Sequence, residues 1–174
     1  MRQLWADPVF MRAFHRLAPP LPPDDRELQR VLQAECNNPI AKTRALHWVV
    51  RSPDRQPWGL LSLTDMSLQH KRAEVLIGVL PNAPFALASA AMLMLFHFYF
   101  REKKFNKLYS LVFADNPHSL KSTLHLGFRQ EGLLKGHIYD AASQGYVDLI
   151  QTGLLAQDAF SASNLRLMQK LLAH

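Results

Sequence analysis

The sequence predicts a mixed α/β protein, and three of its features lead to this prediction. Short runs of branched, leucyl and aromatic residues, which favour strands, alternate along the chain with longer runs whose apolar residues recur at helical spacing. The length of 174 residues, with 48% hydrophobic content, suffices for one buried core and is short for two. The chain has no internal repeat and no low-complexity segment. We therefore expect a single domain that covers residues 1–174.

The first elements are predicted to be a short strand and two helices. Residues 2–5 have strand character, and 8–17 are typical of a helix that ends at the four prolines that follow, because proline disrupts helical hydrogen bonding. Asp24 or Asp25 can then cap a second helix that continues to about Cys36. The apolar side of this helix is formed by Leu28, Val31 and Leu32.

The rest of the chain predicts six strands interspersed with three helices. The strands are rich in branched or leucyl residues and are expected at 45–51, 58–68, 73–80, 108–114, 129–139 and 145–156. A long helix is expected over 84–103, and a shorter one starts at Asn116. A capped amphipathic helix closes the chain, with Leu165, Met168 and Leu172 at helical spacing.

The segment 116–132, NPHSLKSTLHLGFRQEG, carries the strongest local signals. Asn116 can cap a helix with its side-chain oxygen, and Pro117 suits the first helical position. Gly127 stands where a left-handed C-cap is expected, before Phe128 re-enters the core. The apolar face between these ends consists of Leu120, Leu124 and Leu126.

This segment resembles the NxxSxxxxxxxGFxxEG signature of the GNAT superfamily of acyl-CoA-dependent N-acetyltransferases, specifically its RimJ/RimL-like branch. Three further segments resemble GNAT strands in the family's order, at 58–67, 72–81 and 145–155. The resemblance implies the GNAT fold, a mixed and strongly bent sheet of about six to seven strands with helices on both faces. It also implies acetyl transfer from acetyl-CoA, as acyl-donor substrate, to a primary amine of a protein N-terminus or a small molecule.

The loop at 82–90 departs from the family pattern. In the family, the pyrophosphate binds backbone N–H groups of a Q/RxxGxG/A loop at a helix start, since a helix N-terminus attracts anions and glycine lets the backbone approach. Pro84 and Ala86 stand at the two glycine positions here. Ala86 fits the pattern, whereas Pro84 has no N–H to donate and Phe85 adds bulk where the phosphate should pass. We therefore expect Ala86 to contact the cofactor in a loop that offers at least one anion contact fewer than usual.

The resemblance also implies roles for residues outside this loop. Ile77 and Val79 would offer strand backbone groups to the pantetheine arm and to the carbonyl oxygen. Asn116 matches the cofactor-contacting asparagine, and Ser119 matches the hydroxyl that reaches the departing sulfur, directly or through a water. From the residues alone, these two are equally a helix cap and a first-turn serine.

Candidates for handling the amine are fewer. Glu74 matches the fourth-strand glutamate that deprotonates the amine, usually through water, although it is also simply a polar residue on an alternating strand. His137 and Asp140 fall on the strand that borders the acceptor site in the family and are substrate-side candidates. Asp148 matches a family position, but an aspartate on a closing strand is as often a structural hydrogen-bond acceptor.

Composition and charge limit the kinds of partner and the location that the sequence predicts. The formal charge of +6 favours anionic partners, but the basic residues are scattered and no nucleic-acid-binding motif accompanies them, so nucleic acid is not the expected main partner. The single cysteine, Cys36, excludes an intrachain disulfide and agrees with a cytoplasmic location. The most apolar run, 85–100, is shorter than the about 20 residues that span a bilayer, so no membrane association is expected.

The histidines have no ligand partners at zinc-site spacing, so no metal is expected. Two questions stay open from the sequence: whether the protein forms a homodimer, with which the chain is compatible, and whether it is an enzyme. The alternative to an enzyme is a GNAT-like binding or assembly module that has lost normal pyrophosphate binding. The 82–90 loop distinguishes the two.

Overall fold

The computed structural model describes residues 24–36, 43 and 45–172, together with Leu4, Ala6, Asp7, Phe10, Met11 and Phe14; of 32, 35 and 36 it describes the backbone alone. In chain order the helices and strands are α1 Asp25–Cys36, β1 Leu46–Arg51, β2 Pro57–Ser67, β3 Arg72–Val79, α2 Leu87–Phe96, β4 Lys107–Phe113, α3 Pro117–His125, β5 Arg129–Asp140, β6 Gly145–Leu155 and α4 Ala162–Leu172. Helix α2 continues as a π-helix over His97–Glu102.

Six strands form one mixed sheet in the order β1-β2-β3-β4-β6-β5. Neighbouring strands are antiparallel, except that β3 and β4 are parallel and are connected by α2. A parallel pair needs a crossover of this length, because a tight turn can join only antiparallel strands. The predicted mixed sheet is thereby confirmed.

The main core lies between the sheet and α2. Met92, Leu93, Leu95 and Phe96 of α2 are all buried, and they pack with Ala73 and Val75 of β3, among others. Helix α2 is apolar on nearly every side, but Met94 is 62% exposed, so one side of this helix stays outside the core. Leu167, Met168 and Leu171 of α4 also pack against this core.

The opposite face of the sheet is covered by the N-terminal segment. Phe10 and Phe14 are helical, and they pack with Leu4 and Leu60 in a second apolar cluster. Gly78 of β3 permits this contact, because a Cβ at that position would lie 2.9 Å from a ring carbon of Phe14. Helical residues thus lie on both faces of the sheet, as the sequence predicted.

Several predictions of local structure are wrong in detail. Leu4, the described residue of the predicted strand 2–5, is helical. The long helix begins at Leu87 and not at 84, because the turn formed by Pro84 precedes it. Of the predicted apolar helix faces, Leu28 and Leu126 are buried, and Met168 packs against the core. Four others are 38–42% exposed: Val31, Leu124, Leu165 and Leu172. The remaining residues of the predicted strand at 2–5 and helix at 8–17 lie outside the described residues.

Candidate active site

The central parallel strands separate shortly after they meet. β3 and β4 pair over three positions, of which the last is Glu74 opposite Tyr109. Both strands continue beyond this point, to Val79 and Phe113, without pairing with each other. The backbone groups of the later β3 residues that face β4 therefore point into an opening between the strands and have no strand partner there.

A cavity of about 360 Å³ occupies this opening. Ile77 and Val79 of β3 line it, together with Ser110 of β4. Met92 lines it from the α2 face of the sheet, and Phe10 lines it from the opposite face. Residues from both faces of the sheet therefore line the cavity.

Helix α3 forms one wall of the cavity, and local sequence sets its ends. The Asn116 Oδ1 atom accepts a hydrogen bond from the Ser119 backbone N–H at 3.1 Å, with Pro117 at the start of the helix. Gly127 adopts a φ of +92°, the left-handed conformation that glycine tolerates, and turns the chain so that Phe128 enters the core. The predicted cap, first position and helix stop are confirmed, and both Asn116 and Ser119 line the cavity.

The C-terminal end of α3 is fixed by a buried side chain from α4. The Asn164 Nδ2 atom donates hydrogen bonds to the carbonyl oxygens of Leu126 and Ala159, each at 3.0 Å. Asn164 is 1% exposed, so these bonds are shielded from water. They link α4 to the helix that carries the candidate cofactor and leaving-group residues.

The loop before α2 keeps a glycine-like backbone although it lacks glycine. Ala86 has a φ of +61°, which an L-residue other than glycine adopts at a cost of about 1–2 kcal/mol. The Leu87 N–H donates to the Pro84 carbonyl, whereas no described residue accepts the N–H groups of Ala88 and Ser89, and these two residues line the cavity. An anion beside them would meet free donors at a helix N-terminus.

The side chain of Phe85 lies outside the cavity lining. It is 98% exposed, and its predicted position beside the phosphates stays a prediction. Ala86 itself is absent from the cavity lining, and its left-handed backbone directs the chain into α2.

Glu74 lies at the point where β3 and β4 separate, and it does not itself line the cavity, which begins on β3 at the next residue, Val75. It is half-buried and faces away from Ala73 and Val75, because side chains alternate along a strand and those two neighbours are in the core. Its Oε2 atom accepts a hydrogen bond from the Thr64 hydroxyl at 3.1 Å. Burial raises the pKa of the Glu74 carboxyl, and the Asp65 charge adds to that effect, while hydrogen bonds from Thr64 and from the Leu111 backbone oppose it. A carboxylate with increased proton affinity suits general-base work near neutral pH.

Residues 1–129 match the acetyltransferase (GNAT) domain family. The chain belongs to the GNAT acetyltransferase family. Membership agrees with the predicted acyl donor, acetyl-CoA. No curated protein matches the sequence of this GNAT domain.

Solved structures agree on the fold of this GNAT domain. A spermidine N-acetyltransferase from Vibrio cholerae in complex with CoA and spermine superposes with a TM-score of 0.77 at 19% identity, over 91% of this chain and 89% of that one. A point mutant of the Vibrio cholerae spermidine N-acetyltransferase gives 0.73 at 18% identity, over 91% and 94%. A dodecameric form of that protein gives 0.68 at 20% identity, over 78% and 77%. At these identities the likeness shows the GNAT fold.

The substrate-side candidates lie on the β5–β6 hairpin. Asp140 accepts hydrogen bonds from the Ala142 N–H and the Ser143 hydroxyl and so closes the turn of the hairpin. His137 is exposed on β5, and neither candidate lines the cavity. The Asp148 Oδ1 atom accepts a hydrogen bond from the backbone N–H of Gly136 at 2.7 Å. Asp148 is thus a structural hydrogen-bond acceptor on the closing strand.

Sequence reasoning missed three polar residues of α3 that line the cavity: His118, Ser122 and Thr123. Ser122 and Thr123 follow Ser119 by three and four positions, so Ser119, Ser122 and Thr123 share one face of the helix. This spacing was visible in the sequence. Polar residues on a short helix also suit its solvent face, so the spacing alone does not indicate a cavity.

Two further properties concern metals and membranes. Among the described residues, no three His, Cys, Asp or Glu side chains are grouped so that they could hold a metal ion. Within the same part of the chain, no helix combines the length and apolar character that crossing a bilayer needs.

Proposed function

We propose that the protein, as one domain over residues 1–174, is an acetyl-CoA-dependent N-acetyltransferase that transfers the acetyl group to a primary amine by direct attack. The observation that carries this proposal is the cavity through the opening between β3 and β4, with cofactor-type polar groups on α3 and a half-buried carboxylate, Glu74, where the strands separate. Donor and acceptor would approach it from opposite faces of the sheet.

The cofactor would lie along the α2 and α3 side of the cavity. The unpaired backbone groups around Ile77 and Val79 suit the amide groups of a pantetheine arm, and Asn116 Nδ2 remains available while its Oδ1 caps the helix. The free N–H groups of Ala88 and Ser89 suit the pyrophosphate. The positive φ of Ala86 supports retention of this site and counts against the alternative of a module that has lost it.

The reaction would proceed through a tetrahedral intermediate. Glu74, directly or through a water, takes a proton from the amine as its nitrogen forms a bond to the thioester carbon. Backbone N–H groups of β3 stabilise the negative charge that develops on the carbonyl oxygen. The carbon–sulfur bond then breaks, and the thiolate receives a proton from the Ser119 hydroxyl, which regains one from solvent, or from a water that Ser119 holds. Glu74 releases the proton that it took from the amine to solvent. The products are the N-acetylated amine and CoA.

The acceptor we propose is a protein N-terminus or a small amine, as in the RimJ/RimL-like branch. His137 and Asp140 stay candidates for contacting it from the β5–β6 hairpin. The spermidine N-acetyltransferases that share the fold make polyamines a necessary member of any acceptor panel. A cytoplasmic location and a homodimer belong to the same proposal.

Steady-state assays with peptides, polyamines and small amines test the function, with release of free CoA thiol as the readout. We expect turnover with at least one primary amine. Glu74→Gln should lower kcat by about 100-fold or more, and Ser119→Ala by about 10- to 100-fold, with little change in cofactor affinity. Glu102→Gln on the exposed end of the α2 extension and Ser163→Ala at an exposed position of α4 are matched controls that should keep full activity. Absence of turnover with every amine would refute the proposal.

A further inference from the structure

A β-bulge in β2 arranges the groups around Glu74. Thr64 pairs with Glu74, but the next pair is Ser67 with Arg72, so two residues of β2 stand opposite one of β3. Asp65, the first of these two, has a φ of +44°. Such a bulge changes the direction of a side chain. Here it places the Asp65 carboxylate on the same face of the sheet as Thr64 and Glu74, which alternation along a regular strand would not do.

The bulged aspartate is held in this position by two neighbours. Its Oδ2 atom accepts hydrogen bonds from Arg72 Nη1 at 2.6 Å and from the Tyr109 hydroxyl at 2.5 Å. Tyr109 is the strand partner of Glu74, so the hydrogen bond from Tyr109 connects Asp65 to the position where β3 and β4 separate. The arrangement therefore fixes the β2 backbone beside Glu74, including the residue that donates to it, Thr64.

We propose that Thr64 is a positioning residue for Glu74: its hydroxyl holds the carboxylate at the opening of the sheet in the orientation that receives the proton of the amine. This rests on the proposed function. Thr64 Oγ1 donates to Oε2 at 3.1 Å across a direct β2–β3 pair, so the donor and acceptor are set by strand register. A carboxylate has about four acceptor positions, so the bonds from Thr64 and the Leu111 backbone leave room for a proton or a water.

The pH response follows from the same hydrogen bond. A donor to the ionised form stabilises it, and loss of the Thr64 hydroxyl therefore raises the pKa of Glu74 and leaves less base ionised at neutral pH. Other titratable or charged groups on this side of the sheet are present in every variant compared below. Among the described residues they include His47 of β1, Asp65 of β2, Arg72 of β3, Lys107 and Tyr109 of β4, Glu131 of β5, which pairs with Lys107, and Asp7 of the N-terminal segment.

The test compares Thr64→Val, which keeps the shape and removes the hydroxyl, with Thr64→Ser, which keeps the hydroxyl. For Thr64→Val we expect kcat to fall about 10- to 100-fold, with acetyl-CoA affinity unchanged and the acidic limb of the pH profile moved to higher pH. Thr64→Ser should restore both kcat and the position of the limb. Thr64→Ala serves as the second hydroxyl-free variant if Thr64→Val does not fold.

Two results would overturn the proposal: a hydroxyl-free variant with an unchanged pH profile and kcat, or equal impairment of Thr64→Ser and Thr64→Val. Glu74→Gln separates this failure from failure of the proposed mechanism. If Glu74→Gln abolishes the acidic limb while Thr64→Val leaves it in place, only the role of Thr64 is refuted. If Glu74→Gln retains full activity and the limb, the assignment of Glu74 as base is refuted.

Discussion

Replacing Ala86 with glycine tests whether the loop before α2 holds a strained backbone. Ala86 has a φ of +61°, and a left-handed alanine costs about 1–2 kcal/mol relative to glycine in the folded state. Glycine recovers this energy but loses about 0.5–1 kcal/mol, because it gives the unfolded chain more freedom. We therefore expect Ala86→Gly to raise the free energy of unfolding by about 0.5–1 kcal/mol.

The increase should appear in thermal unfolding followed by circular dichroism. For a domain of this size, about 1 kcal/mol corresponds to a rise in Tm of about 2–4 °C. The matched control is Ala90→Gly, within the regular part of α2, which should lower stability by about 1 kcal/mol. Acetyl-CoA affinity should be unchanged in Ala86→Gly, since the backbone already has the glycine-like conformation. Equal destabilisation by both substitutions would refute the reasoning.

Two further predictions concern the ends of α3. Asn116→Ala should lower the free energy of unfolding by about 1 kcal/mol through loss of the helix cap and should also weaken acetyl-CoA binding; Asn116→Ser, which keeps a capping oxygen, should restore most of the stability in denaturant titrations. Asn164→Ala should cost about 2–4 kcal/mol, because it removes two buried hydrogen bonds and leaves both carbonyl oxygens unsatisfied, whereas exposed Ser163→Ala should change stability by less than about 0.5 kcal/mol. A small effect at Asn164 would show that the two carbonyl oxygens find other donors.

The parts of the site that were predictable depend on neighbours in sequence. Asn116, Pro117 and Gly127 lie at the two ends of a helix of nine residues, so their types specify where it begins and ends. The strands followed from the same local reasoning, since runs of branched and aromatic residues favour extended backbone whatever their partners.

The parts that were not predictable depend on contacts between distant segments. Leu165 and Leu172 have helical spacing, but Leu167 and Leu171 face the core, because the docking of α4 on α2 sets the rotation of the helix. Likewise, Thr64 reaches Glu74 only through the β2–β3 register.

The left-handed backbone conformation of single residues could also not be predicted from sequence patterns. The left-handed residue before α2 is an alanine, Ala86, and alanine carries no signal for that conformation. For the same reason nothing in the sequence marked Asp65 as a bulge residue.

Titration with acetyl-CoA, monitored by thermal unfolding and calorimetry, tests the central claim most directly. If the cavity between β3 and β4 binds the donor, a concentration of about 100 times the Kd should stabilise the fold by about 2.7 kcal/mol, which corresponds to a rise in Tm of about 5–10 °C. CoA should compete, and Asn116→Ala should weaken the response. An unchanged Tm up to millimolar acetyl-CoA would contradict the account and favour a binding or assembly module without donor binding.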